Sequence, residues 1–353
     1  MADEGGGGSE GHPELRGTIV VGTYDGALLG LSLESGEQTF GYAPHVGCVK
    51  TIHCNKAGSL ASGGTDNAVR LFDLAKGLEN GELQVHEDTV SCVRLWESST
   101  LVSGDKTGTV CIWQAGNWEV LHKFRAHKEG VASLAVHPSG RVMASSGRDR
   151  GLRLWDLMRG TCAASLDVEE AAEELEWSPD GSRIAALSPR GLQLVNATTG
   201  EVLAYRDPSC SGLTRVSLTA VMFLSGGPLL LGDGRGDVRV LEPDTSGKSL
   251  VEVSKLPSDA KRGRIKALLR GGADAADGLF VVGTSTGRVE VWMTRAGARV
   301  SEDGAFAKLW DVDTDLRLTC AALWFPGPGN MQAAVSDHKA GVRRKKRRRK
   351  AEA

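Results

Sequence analysis

Histidine, serine and an acid are the parts from which a hydrolase assembles a nucleophile. His127, Ser145 and Asp149, followed by Trp155, supply all three. In such a triad the imidazole takes the serine proton while the carboxylate orients the imidazole. Repetition argues against that chemistry here. A nearly identical set, His45, Ser62, Asp66 and Phe72, stands earlier in the chain, and His86, Ser103 and Trp113 stand between the two, with Thr107 where the acid would be. Only the set of His127 has every member. A catalytic site is normally built once, whereas a polar strut can recur in every structural unit. The sets are therefore predicted to be structural tetrads, each buried hydrogen bond contributing about 1 kcal/mol, and no catalytic residue is expected.

Other motifs are weaker still. Gly232-Asp233-Gly234-Arg235-Gly236-Asp237 contains an Arg-Gly-Asp tripeptide and loosely matches a phosphate-cradling loop. A dinucleotide site needs a strand, this loop and then a helix, yet Val238 to Leu241 continues as a strand, so a hairpin turn is predicted. Asn196-Ala197-Thr198 has the pattern of a glycosylation acceptor, which matters only in a secreted chain. The eight histidines are dispersed, and the seven cysteines never form Cys-x-x-Cys, so neither a zinc site nor a disulfide framework is expected. No cofactor and no metal are implied. The remaining chemistry lies in Arg343, Arg344, Lys345, Lys346, Arg347, Arg348, Arg349 and Lys350, adjacent cations that repel one another and stay extended. Nuclear import alone, import together with RNA contact, and simple solubilisation are three roles open to such a tail.

The elements that carry these residues repeat. Val69-Arg70-Leu71-Phe72-Asp73, Val110-Cys111-Ile112-Trp113-Gln114 and Leu152-Arg153-Leu154-Trp155-Asp156 superpose with the alternation of strands. Weaker copies are Leu28 to Leu31, Leu192 to Val195, Val238 to Leu241 and Val289 to Trp292. The fourth residues of the copies, at 31, 72, 113, 155, 195, 241 and 292, advance by 41, 41, 42, 40, 46 and 51 residues. That period is near the ~40–45 of a WD propeller blade, the last two steps carrying insertions. Turn signals such as His137-Pro138-Ser139-Gly140 and Ser178-Pro179-Asp180-Gly181 separate strands within each unit. Strands at Thr18 to Val21, Ala27 to Leu33 and Gln38 to Tyr42 precede the first full unit, and an orphan strand, Leu318 to Trp324, follows the last.

The fold class predicted is all-β, a seven-bladed WD40 β-propeller whose ring is closed by N- and C-terminal strands in one blade, followed by a disordered basic C-terminal tail. Its expected organisation is a flexible Gly-rich N-terminus over 1–16, the propeller over 17–325, and a linker with the tail over 326–353. Composition agrees, with 46 glycines, 11 prolines and 5% aromatics in 353 residues. No run approaches ~18 apolar residues and the N-terminus is acidic, so an intracellular protein without membrane contact is expected. The formal charge of −2 conceals an asymmetry: without the tail's eight cations, 34 Lys and Arg face 44 Asp and Glu.

The run from His86 to Gly160 reads His86-Glu87-Asp88-Thr89-Val90-Ser91-Cys92-Val93, then Val110-Cys111-Ile112-Trp113, Ala126-His127-Lys128, His137-Pro138-Ser139-Gly140 and Leu152-Arg153-Leu154-Trp155. With Glu176-Trp177-Ser178-Pro179 and the closing Leu316-Arg317-Leu318-Thr319-Cys320-Ala321-Ala322-Leu323-Trp324, it resembles the p21-activated-kinase-interacting WD-repeat family, whose yeast member is called Mak-eleven. The resemblance covers most of 17–325. It implies a nucleolar factor for large (60S) ribosomal subunit assembly and pre-rRNA maturation, and in animals a negative regulator of a p21-activated kinase. The partners implied are pre-ribosomal proteins, pre-rRNA through the tail, an import receptor and such a kinase, bound to a monomeric propeller within a larger complex. Three functions thus compete: ribosome-assembly scaffold in the nucleus and nucleolus, kinase-binding adaptor, and substrate receptor of a ubiquitin ligase. A polycationic end suits a particle made largely of phosphate, which favours the first.

Overall fold

The computed structural model describes residues 16–97, 99–206, 216–244, 249–271, 278–295, 297–302 and 304–326. The basic run 343–350, the linker from 327 onward and residues 1–15 lie outside the described residues. The chain opens with β1 (Thr18–Thr23), β2 (Leu28–Ser32) and β3 (Gln38–Tyr42). Blade two is β4 (Val49–Cys54), β5 (Ser59–Gly64), β6 (Val69–Asp73) and β7 (Leu78–Leu83). Blade three is β8 (Val90–Trp96), β9 (Thr100–Asp105), β10 (Thr109–Gln114) and β11 (Val120–Arg125); blade four is β12 (Val131–Val136), β13 (Val142–Gly147), β14 (Gly151–Asp156) and β15 (Thr161–Asp167). Blade five is β16 (Glu174–Trp177), β17 (Arg183–Ser188), β18 (Gly191–Asn196) and β19 (Val202–Arg206). Blade six is β20 (Leu218–Phe223), β21 (Leu229–Asp233), β22 (Val238–Pro243) and β23 (Leu250–Lys255). Blade seven is β24 (Ile265–Arg270), β25 (Leu279–Thr284), β26 (Arg288–Thr294) and β27 (Phe306–Asp313). The last strand, β28 (Leu318–Trp324), returns to pair with β1 and completes blade one.

The chain is therefore a seven-bladed WD40 β-propeller of antiparallel four-stranded sheets, and its closure joins the two ends. Ile19 stands opposite both Leu323 and Leu31, and Val20 opposite both Ala322 and Gly30. Successive side chains of a strand point to opposite faces, so a strand between two neighbouring blades must be apolar on both. In β9, Leu101 joins the apolar cluster shared with blade two and Val102 the cluster shared with blade four. Seven such clusters fill the seams between blades. The seam of blades seven and one holds Ile19, Leu31, Val281, Val291 and Leu318, all buried. Each such side chain contributes about 1.5–3 kcal/mol.

The innermost strands β4, β8, β12, β16, β20, β24 and β28 are sheet edges, and an edge leaves backbone N–H groups without a ladder partner. Side chains of the preceding blade take several of them. Thr51 Oγ1 accepts from Val93 N at 3.2 Å and His53 Nδ1 from Leu95 N at 3.1 Å. Ser133 Oγ accepts from Leu175 N at 3.1 Å, and Glu174 Oε2 and Glu176 Oε1 accept from Val221 N and Phe223 N at 3.0 and 3.4 Å. As an acceptor His53 must be neutral there; burial, with Arg94 nearby, pushes its pKa down to about 3. Burial pushes Glu174 up to about 7, and burial together with the neighbouring Glu174 pushes Glu176 up to about 8.

Two outcomes are expected. Ending the chain at residue 315 removes β28, exposes β1 and gives aggregated protein in size-exclusion chromatography, whereas ending it at Pro326 leaves a soluble, cooperatively melting propeller. The second concerns pH. The folded-state values of Glu174 and Glu176 lie above the ordinary glutamate value of 4.5, so their protonated forms favour folding and stability is lost as pH rises from about 4.5 through about 8. Glu176→Gln keeps the carbonyl acceptor for Phe223 N–H without the charge. Its melting temperature should exceed that of the parent at about pH 8.5 and match it at about pH 4; equal melting at both would show that the channel carboxyl carries no such cost.

Candidate functional site

The turns that precede the innermost strands and those between the second and third strands share one face of the ring, called here the histidine face. In blade four His127 precedes β12, Ser145 lies on β13, Asp149 in the turn after it, and Trp155 on β14. Trp155 Nε1 meets Ser145 Oγ at 2.8 Å, Ser145 Oγ meets His127 Nε2 at 2.8 Å, and His127 Nδ1 meets Asp149 Oδ1 at 2.8 Å. An indole can only donate. The serine oxygen therefore accepts from Trp155 and gives its own proton to Nε2, which leaves Nδ1–H for the carboxylate. This is the proton order of a hydrolytic triad, but the serine is 0% exposed and its oxygen is already held by the indole. No substrate carbonyl can reach it.

Blade two repeats the arrangement with His45 Nε2 at 2.7 Å from Ser62 Oγ and Nδ1 at 3.0 Å from Asp66 Oδ1. Phe72 fills the indole's place without a donor. Blade three corrects one expectation. Thr107 does not mark a missing acid, because Asp105 Oδ2 binds His86 Nδ1 at 2.8 Å, while His86 Nε2 and Trp113 Nε1 reach Ser103 Oγ at 2.6 and 2.8 Å. The set of His127 is thus not alone in being complete. The physical reason lies two residues after each serine. Gly64 and Gly147 stand there in blades two and four, and a Cβ on either would come within 2.6 Å of the Asp66 or Asp149 carboxylate. Glycine leaves room for an acid arriving from two residues further on; in blade three the acid is itself at the glycine position, and Thr107 Oγ1 supports it at 2.6 Å.

Electrostatics favour the same proton order. Burial pushes His45 and His127 down, against the pull of their aspartates. Burial opposes ionisation of Asp66, Asp105 and Asp149, but hydrogen bonds from the histidines and from nearby backbone N–H groups outweigh it and hold all three below the ordinary carboxylate value. The sets of blades two and four are each a neutral imidazole between a hydroxyl and a carboxylate.

Two further struts had no counterpart in the sequence reading. In blade seven Arg262, buried, grips the buried Glu290 at 3.1 and 2.8 Å, and Trp292 Nε1 donates to the same carboxylate at 2.8 Å. In blade six Arg239 pairs with buried Asp233 at 3.0 Å, and Asp233 Oδ1 also accepts from the N–H groups of Arg235 and Asp237. The Arg-Gly-Asp tripeptide is accordingly the hairpin turn between β21 and β22. Gly236 has φ +93°, and a Cβ there would meet the carbonyl oxygen of Arg262 at 2.5 Å. The only sequence signal for the blade-seven strut is an acid two residues before the repeat tryptophan, where Arg70 and Arg153 stand in other blades. Among the described residues no group of three His, Cys, Asp or Glu is placed to hold a metal ion, and no helix is long and apolar enough to cross a membrane.

The ring and its recurrent struts define a WD40-repeat propeller, and the WD domain, G-beta repeat family matches residues 78–114 and 118–156. Over 315 residues the chain is 29% identical to p21-activated protein kinase-interacting protein 1-like of Danio rerio, spanning 88% of this chain and 81% of that one. It is 25% identical over 329 residues to p21-activated protein kinase-interacting protein 1 of Homo sapiens, spanning 90% and 79%. It is 26% identical over 284 residues to Shk1 kinase-binding protein 15 of Schizosaccharomyces pombe, spanning 78% and 76%. The chain is thus related along most of its length to the p21-activated-kinase-interacting WD-repeat proteins.

The struts generate a paired prediction. Asp149→Ala and Asp105→Ala should each lower stability by about 1–3 kcal/mol, since each leaves a buried histidine N–H without its acceptor. Denaturant midpoints measured at constant m-value check this; an unchanged midpoint in Asp105→Ala would separate blade three from the others.

Proposed function

We propose that the chain is a non-catalytic scaffold of the nucleus and nucleolus that acts in large ribosomal subunit assembly and pre-rRNA maturation. The observation that carries this reading is the pairing of an acidic propeller with the cationic run 343–350. The locked, repeated serines support a role in holding partners rather than in turning over a substrate. The exit of the chain supports a tether. Strand β28 starts on the histidine face, and its last residue, Trp324, donates from Nε1 to Lys56 O in the turn between β4 and β5, on the opposite face. The described chain therefore ends at the face away from the struts, and on this reading the tail's eight cations are the groups offered to RNA phosphates or an import receptor. A second reading, an adaptor that binds and negatively regulates a p21-activated kinase, is favoured by the names of the relatives, which are kinase-interacting and kinase-binding proteins.

Mass spectrometry of proteins co-purifying with the tagged chain distinguishes the two: large-subunit precursors are expected, and a kinase without ribosomal proteins would favour the adaptor. Contact of the tail with about 4 RNA phosphates should give a slope of log affinity against log salt near −3, at about 0.7 per phosphate for single strands. Replacing residues 343 to 350 with Gly and Ser should flatten it. If the tail-less chain, given an unrelated import signal, fully restores pre-rRNA processing, the tail serves only as an address.

A further inference from the structure

Several arginines of the ring are paired with acids: Arg70 with Glu79 and Glu82, Arg153 with Asp149, Arg239 with Asp233, and Arg262 and Arg288 with Glu290. Four other cations are brought together at one place. Around the channel, β24, β28 and β4 are consecutive innermost strands. Ala267, Cys320 and Thr51 occupy the same rung in these three strands, opposite Gly283, Gly22 and Gly63. One residue nearer the histidine face stand Lys266, Thr319 and Lys50, and two residues nearer still stand Arg264, Arg317 and Cys48. Four cations are thereby gathered at one end of the channel. Lys50, Arg264 and Arg317 are exposed and Lys266 is half-buried. None of the four is among the ion pairs formed by the described residues.

The rest of the mouth is differently charged. On the same level, blades three, four and six present Ser91, Ala132 and Thr219, and blade five, across the ring from the junction of blades one and two, presents Glu173. Glu174 and Glu176 follow below it on the same strand. Arg317 lies 4.6 Å over the ring of Tyr24, which is 50% exposed in the turn after β1. That contact fixes the guanidinium plane while leaving its N–H fork open. Burial, then the charges of Arg264, Lys50 and Arg317, lower the pKa of Lys266, as expected of a cation held among like charges without a counterion.

We propose that the histidine-face mouth of the channel, over blades seven, one and two, binds a protein segment bearing clustered carboxylates or a phosphorylated side chain, held by Lys50, Arg264, Lys266 and Arg317. A nucleic-acid strand fits less well. Its regularly spaced phosphates would extend toward Glu173 across a mouth charged on one side only, whereas a peptide places its anionic group on the cationic arc and neutral or basic residues opposite. The inference is independent of which assembly the scaffold serves, because it rests on the mouth cations and not on the tail.

The test uses the full-length chain with residues 343 to 350 replaced by Gly and Ser, so that the tail contributes no binding. Fluorescent probes are a short Asp/Glu-rich peptide, the same peptide with phosphoserines in place of the acids, its Asn/Gln counterpart, and single-stranded oligouridine. Lys50→Glu, Arg264→Glu and Lys266→Glu together should weaken binding of an anionic peptide by about tenfold or more, and Arg141→Glu with Arg159→Glu, on the opposite face, should not. Melting curves confirm that the variants fold; should the triple variant fail to fold, Lys50→Glu with Arg264→Glu, both at exposed positions, replaces it. Binding of both anionic peptides shows that carboxylates suffice, and binding of the phosphopeptide alone selects phosphate as the source. The proposal is overturned if neither peptide binds, if the reversals leave peptide affinity unchanged, or if oligouridine alone depends on the arc.

Discussion

Everything in this ring depends on one ladder, the antiparallel pairing of β28 with β1. Each of the other six blades is formed from four strands consecutive in sequence, and blade one alone joins strands from the two ends of the chain. The matched repeats show how this offset is built in. Residues 78–114 begin with the outer strand of blade two and end within blade three, so the sequence unit straddles a seam rather than filling a blade. This chain starts one strand late with respect to the blade, at β1, and ends by supplying the missing innermost strand, β28. Closure then makes all seven seams mutually dependent, because no blade can separate without opening the ladder or two apolar clusters.

Closure also sets a polar problem that apolar packing cannot solve. Seven innermost strands converge as edges on a narrow channel, too close for a further strand to pair with them. At three seams side chains of the previous blade answer this with hydrogen bonds, and the groups used differ: a hydroxyl at Thr51 and Ser133, an imidazole at His53, carboxylates at Glu174 and Glu176. In five of the blades buried polar groups are matched by the struts, again with different chemistry: histidine with serine and aspartate in three, arginine with glutamate or aspartate in two. What is common is a buried donor matched to a buried acceptor across the turn, at a net contribution of about 1 kcal/mol for each hydrogen bond.

This variety explains how far the sequence could be read. The blade count and closing strand were legible because they rest on period and alternation, which survive substitution within the apolar class: Leu31, Phe72, Trp113 and Val195 all mark the same rung. The struts of His45 and His127 were legible because they share one spacing. Asp105 was not, since it reaches the same imidazole nitrogen from a position where its neighbours carry glycine, a geometric equivalence between residues that do not align. Arg262 and Glu290 were hidden for a related reason, the exchange of both partners at once, acid for base on the third strand and arginine for histidine before the first. The four mouth cations lie far apart in sequence, at 50, 264, 266 and 317, and only ring closure brings them together.

The distribution of charge separates the two ends of the ring. Cations that serve the fold are those already facing an acid, and their fields are spent within a few ångströms. Lys50, Arg264 and Arg317 are exposed, with half-buried Lys266 among them, on one side of the channel mouth, and the described chain ends beside Trp324 at the other face. Exposed charges more than about a Debye length of ~8–10 Å apart are screened from one another at physiological salt, so an anionic partner must come close to the arc to gain from it. With the buried acids of the ring already held by His86, Arg239 and Arg262, the mouth cations have no internal counterion among the described residues to give up when such a partner arrives.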